Sequence, residues 1–246
     1  MKEESLLLLS DLQKLINQVV LIDYTIIILG GDCMSNRLSA KTKAIRKMGQ
    51  GTGADYKPYI TTSEFNSHGT TSVIKDWKTG RAVHCLSQGE MYWYYILRWD
   101  DTNIDVREQY PLDFTETVNI ANKMGFPPPR EIMTTDMLVT KKNGIEVAYS
   151  VKSDKQLSKR QMQLLCIEKQ YWLNQGTKCQ LVFKSEMNTI LASNIRLVTE
   201  FYDAALVFDV VSAIKHKIAI KEIEFDMDSK YIENSDLMKL LEVKNE

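Results

Sequence analysis

Histidine and paired cysteine are scarce in this chain, which excludes zinc chemistry at the outset. Only His68, His84 and His216 occur, and Cys33, Cys85, Cys166 and Cys179 show no short paired spacing. No zinc-ligand pattern can be completed, and the thiols read as reduced and partly buried. A surplus of one charge sign is lacking too: Lys+Arg 31 against Asp+Glu 32 gives a formal net charge of -1, so nothing global announces a polyanion binder. The glycine run Gly49-Gln50-Gly51-Thr52-Gly53 has no Gly-Lys-Ser/Thr after it and no apolar strand before it. It is a flexible break, not a phosphate cradle. The most apolar stretch, residues 19–29, is interrupted by Asp23, is too short to cross a bilayer and lacks a small-residue cleavage site. Internal repeats and low-complexity segments are absent.

What is present suits an enzyme with a sizeable core. The chain has 246 residues, 44% apolar and 26% charged, enough for one domain or one with a small appendage. Charge is unevenly placed. Between Arg37 and Arg81 lie Lys41, Lys43, Arg46, Lys47, Lys57, Lys75 and Lys78 against Asp55, Glu64 and Asp76, whereas the tail carries Glu222, Glu224, Asp226, Asp228, Glu233 and Asp236. A basic front and an acidic tail suggest one side that faces phosphate and one that does not.

The periodicity predicts a basic helix at 38–47, a strand pair over 59–74, a tight turn at 78–81 and a helix from Ser87 to about Trp99 with Ser87 as its N-cap and Glu90 three residues on. A short strand follows at 105–109, stopped by Pro111, and the triple proline at 127–129 is a stiff loop. Strands at 133–140 and 145–152 form a hairpin, with an amphipathic helix at 157–174, a strand at 180–183 and a helix at 188–201. Strands flanked by helices around an antiparallel hairpin predict an α/β fold.

Three polar positions stand out in otherwise apolar elements: Glu90 on a helix, Asp136 on a strand, and Lys152 at the end of Ser150-Val151-Lys152 on the next strand. These are the parts of a magnesium-dependent phosphodiesterase site. A strict two-residue turn would leave Asp136 facing away from Lys152. A three-residue loop, Lys142 to Gly144 with Gly144 left-handed, pairs Asp136 with Ser150 and makes Lys152 its diagonal neighbour. Glu90, Asp136 and the Val151 carbonyl would then line an oxygen pocket for a hard cation, with Lys152 orienting water or stabilising developing charge. Each residue has a plainer reading. Glu90 can be a solvated partner of the helix dipole, Asp136 strand-entry punctuation, and Lys152 an edge-protecting charge.

Several ordered blocks carry a resemblance. Lys78-Thr79-Gly80-Arg81, His84, Leu86-Ser87-Gln88-Gly89-Glu90, residues 105–112, Thr134-Thr135-Asp136-Met137-Leu138-Val139, Ser150-Val151-Lys152 and Glu168-Lys169-Gln170-Tyr171-Trp172 resemble the TnsA family of transposon-end endonucleases, over about residues 41–201. The resemblance implies a restriction-endonuclease-like mixed sheet flanked by helices, with Glu90, Asp136 and Lys152 as catalytic residues and Glu90 and Asp136 on the metal. It implies Mg2+ as cofactor, with Mn2+ able to substitute, double-stranded DNA at transposon ends as substrate, and two partners: TnsB, a DDE transposase, and TnsC, an AAA+ ATPase. A place on bacterial DNA in the cytoplasm follows from it. Where the family carries Gln, two positions before the lysine, this chain has Ser150, leaving a weaker or water-mediated contact there.

The expected organisation is an upstream reading-frame extension at 1–33 with Met34 as natural start, a catalytic domain at 34–185, and a shortened C-terminal domain at 186–246, helical or winged-helix-like, that contacts partners. Two other functions compete with cut-and-paste transposition. One is a free-standing restriction or repair nuclease of the same superfamily, and the other a non-catalytic module that contacts transposase and regulator.

Overall fold

Local sequence signals set most element ends in the computed structural model, which describes residues 37–64 and 70–242. The expected extension at 1–33, its start at Met34, Cys33 and His68 lie outside the described residues. Ser39 caps a short helix, α1 (Ala40–Ile45), by accepting from the Thr42 amide. A hairpin follows, β1 (Ser72–Lys75) antiparallel to β2 (Ala82–Cys85). The expected strand pair over 59–74 is not what forms. Residues Thr62–Glu64 make a 3-10 turn because Glu64 is pinned there by the Leu38 amide, by Thr61 and by a buried ion pair with Lys43 at 2.8 Å. The partner of β1 comes after the turn at 78–81, which the Asp76 amide closes by donating to Arg81 O.

Helix α2 (Gln88–Trp99) then leads to β3 (Asn103–Pro111), α3 (Phe114–Lys123), β4 (Thr134–Lys141), β5 (Glu146–Lys152), α4 (Lys159–Asn174) and β6 (Lys178–Phe183). β3 is longer than expected and ends on Pro111, which needs no ladder donor at a strand end. The four strands form one mixed sheet in the order β3-β4-β5-β6, antiparallel except for β5 and β6, which run parallel. Helix α4 is the crossover that parallel pairing requires. Its N-cap is a capping box between Ser158 and Gln161.

Alternation along β4 and β5 divides the core between two faces. Met137, Val139, Val147 and Tyr149 join Tyr94, Tyr95 and Leu97 of α2 on one face. Leu138 and Ala148 meet Trp172 of α4 on the other. Three later helices, α5 (Thr189–Thr199), α6 (Val210–Ala219) and α7 (Asn234–Glu242), extend the α2 side, contributing Ile195, Val198, Ile214, Ile218 and Leu237 to that same cluster. Burial of each such side chain is worth roughly 1.5–3 kcal/mol. Among the described residues no strand follows Phe183, so the appendage is helical. No helix among them is long and apolar enough to cross a membrane.

Candidate active site

The hairpin between β4 and β5 has the looser turn. Thr140 pairs with Glu146, the Lys141 amide donates to Ile145 O at 2.9 Å, and Gly144 takes φ +80, a left-handed conformation that suits glycine. The paired register runs from Thr140↔Glu146 to Met137↔Tyr149. The expected pairing of Asp136 with Ser150 would be the next step, but the ladder does not include it.

At that step the ladder stops and a side chain takes over. Asp136 Oδ2 accepts from the Val151 amide at 2.7 Å and from Lys152 Nζ at 3.1 Å. Lys152 Nζ also donates to Val151 O at 3.0 Å. The ammonium therefore bridges two oxygens expected to face a cation. Asp136 beside it raises the Lys152 pKa, against the opposing effect of burial, so this lysine stays charged at neutral pH.

Glu90 arrives from the other direction. Ser87 caps α2 by accepting from the Glu90 amide at 3.2 Å and donates to Glu90 Oε1 at 2.9 Å. Oε2 accepts from the Leu86 amide at 2.9 Å and from Gln109 Nε2 at 3.2 Å. A glutamate three residues after an N-cap is usually solvated, yet Glu90 is 6% exposed. Burial, and then the charge of Asp136, push its carboxyl from 4.5 up to about 7. Gly89 permits this depth: a Cβ there would lie 3.2 Å from Val151 Cγ1 and 3.5 Å from Lys184 Cβ. The start of α2 is thus pressed onto β5, one residue from Glu90.

Sequence reasoning assigned no role to two residues of this site. Glu168, on α4, is 5% exposed and accepts from Thr135 Oγ1 at 2.7 Å, which in turn accepts from Trp172 Nε1 at 2.7 Å. Burial, followed by the Asp136 charge, raises its carboxyl from 4.5 to about 7. A polar position on the buried stripe of an amphipathic helix was the available signal. Gln109 had no such signal. It is 2% exposed and holds φ +48 in the middle of β3, a conformation costing a non-glycine residue roughly 1–2 kcal/mol.

The Ser150 hydroxyl is buried beside Glu168 and Cys179 but makes no hydrogen bond of normal geometry. Such an orphan usually points to a water or ion. Among the described residues no three His, Cys, Asp or Glu side chains sit together closely enough to hold a metal unaided. A hard cation at this site would draw instead on Glu90, Asp136, the Val151 carbonyl and, through water, Ser150, all oxygen donors of the kind magnesium prefers. The residues present fit it.

Comparisons with known proteins converge on one family. Residues 100–183 match the family model described as TnsA-like endonuclease N terminal. That stretch includes Asp136, Ser150, Lys152 and Glu168, while Glu90 lies ten residues before it. Over 155 residues the chain is 34% identical to "Transposon Tn7 transposition protein TnsA" of Escherichia coli, covering 60% of this chain and 57% of that protein. The chain thus spans little more than half the length of that relative.

Proposed function

We propose, from the premise that this chain belongs to the TnsA family, that it is a divalent-metal-dependent DNA endonuclease that hydrolyses the 5′ ends of a transposon in cut-and-paste transposition. The restriction-endonuclease-like arrangement of a mixed sheet flanked by helices is the scaffold for it. One observation carries the reading: Lys152 Nζ lies within hydrogen-bond distance of both Asp136 Oδ2 and Val151 O, next to a glutamate buried at a helix start.

In this reading Glu90, Asp136 and the Val151 carbonyl hold Mg2+ or Mn2+, with Ser150 contributing through water. What such an ion supplies when bound is charge neutralisation at the scissile phosphate and acidification of water. The chain's own residues do the rest. Asp136 holds the Val151 amide and so presents the neighbouring carbonyl to the pocket. Lys152 remains protonated and serves as a fixed positive charge for the phosphate or as an orienting donor, not as a general base. Glu90, held near 7 by burial and Asp136 even with Lys152 close by, is ready to ionise when further positive charge arrives. Glu168 stays in contact with Thr135 behind Asp136 and limits how far that strand end moves.

Partners follow the same reading. A near-zero net charge gives little non-specific affinity, which comes mainly from phosphate neutralisation. Ends are then chosen by a TnsB-like DDE transposase and gated by a TnsC-like AAA+ ATPase, on bacterial DNA in the cytoplasm. The test is strand cleavage of end-labelled transposon DNA with magnesium. The chain alone should cut poorly, and addition of transposase and ATPase should restore cleavage at the 5′ ends. Lys152→Ala in that mixture should lose this strand's cleavage alone and shift products towards joined cointegrates. Efficient sequence-specific cutting by the isolated chain would instead favour a free-standing restriction-type nuclease. Unchanged cleavage with Lys152→Ala would refute the assignment.

A further inference from the structure

An interruption in β3 has the geometry of a device for placing Glu90. Glu108 reaches Arg81 Nη1 at 2.7 Å and the His84 amide at 3.0 Å, on the hairpin side. Tyr110, two residues on, packs against Trp172 of α4 on the opposite face, with ring centroids 5.9 Å apart. Residues two apart on a regular strand share a face. The switch occurs at Gln109, whose φ of +48 breaks the alternation while Glu108↔Met137 and Tyr110↔Thr135 keep one register.

The side chain released by that break is buried and used at both ends. Gln109 Nε2 donates to Glu90 Oε2 at 3.2 Å, and Gln109 Oε1 accepts from Thr134 Oγ1 at 2.9 Å. Thr134 is two residues before Asp136. One amide therefore ties the start of α2 to the start of β4, the two elements that carry the candidate metal carboxylates. Strained conformations of non-glycine residues persist where the surroundings over-determine them, and they cluster at functional sites.

We infer that Gln109 is a positioning residue that sets the separation and orientation of Glu90 relative to Asp136, and thereby the affinity of the site for a divalent cation. This rests on the metal-dependent reading above. A purely structural account of Gln109 makes a different demand: any residue at ease with positive φ would then serve.

Gln109→Gly and Gln109→Asn separate the two accounts. Both residues tolerate the left-handed conformation. Glycine lacks the amide, and the asparagine side chain, one methylene shorter, cannot span from β3 to Glu90 while holding Thr134. The full chain would be titrated with Mn2+ and free ion followed by electron paramagnetic resonance, with circular dichroism as the check on folding. Wild type should bind and Glu90→Ala should not. Both Gln109 variants should remain folded and bind about 10- to 100-fold more weakly, the usual effect of losing a residue that orients a metal ligand. Folded variants that bind like wild type would overturn the inference while leaving the metal site intact. Unfolding of both variants would assign Gln109 to the fold and overturn it as well. Absence of binding by wild type would overturn the functional reading and this inference together.

Discussion

Glu168→Gln should make the metal-free protein more stable above pH 7. The carboxyl is pushed from 4.5 to about 7 by burial and by Asp136. At about 1.4 kcal/mol for each pH unit, that gap amounts to ~3 kcal/mol. The sign follows from proton binding. The folded protein holds the Glu168 proton more tightly than the unfolded chain, so the favourable contribution is complete below pH 4.5, where both states are protonated. It is lost as pH rises from 4.5 through about 7. Above that range the folded state carries a buried carboxylate that water would rather solvate. Glutamine keeps the oxygen that accepts from Thr135 and cannot ionise. The variant should therefore match wild type at pH 4.5 and exceed it by up to ~3 kcal/mol at pH 8, or roughly 6–12 °C in Tm for a chain of this size. Thermal melts with a chelator present, at pH 4.5, 6 and 8, check this. A gap that does not change with pH, or a variant less stable than wild type at pH 8, would refute the reasoning.

Glu90→Ala and Asp136→Ala should abolish strand cleavage in variants still folded by circular dichroism, since each carboxylate is expected to hold the ion. Ser150→Gln should preserve or raise cleavage, because an amide reaches further into the pocket than the orphaned hydroxyl does; a severe loss in a folded variant would show that the pocket is built around serine. Gly89→Ala should remain folded, since the preference of alanine over glycine in a helix, up to about 1 kcal/mol, offsets part of the crowding. Its Cβ, 3.2 Å from Val151 Cγ1, should still displace Glu90 by tenths of an ångström and lower cleavage. Wild-type cleavage by that variant would show that the approach of α2 to β5 is looser than drawn.

The parts of this site that were legible from sequence are those governed by short-range rules. The Ser87–Glu90 cap follows from a spacing of three residues, and the hairpin register from Thr140↔Glu146 to Met137↔Tyr149 follows from a three-residue loop with Gly144 left-handed. Helix α3 had a readable signal that was passed over, with Asp113 accepting from the Glu116 amide at its start. The strand pair expected over 59–74 failed for a non-local reason. Glu64 is held by Lys43 and Leu38, more than twenty residues earlier, and that contact folds the segment into a turn. The depth of Glu90, the left-handed Gln109 and the burial of Glu168 likewise depend on β5, α2 and α4 meeting in space. No periodicity within a single element reports such a meeting.

The central claim is that Glu90, Asp136 and the Val151 carbonyl hold a divalent cation beside Lys152. An anomalous-scattering map from crystals soaked in Mn2+ tests it most directly. The account predicts a peak among those three groups, with Lys152 Nζ moved off Val151 O, where it now donates at 3.0 Å. A map with no peak there, or with manganese bound only at a site that includes neither Glu90 nor Asp136, would contradict it.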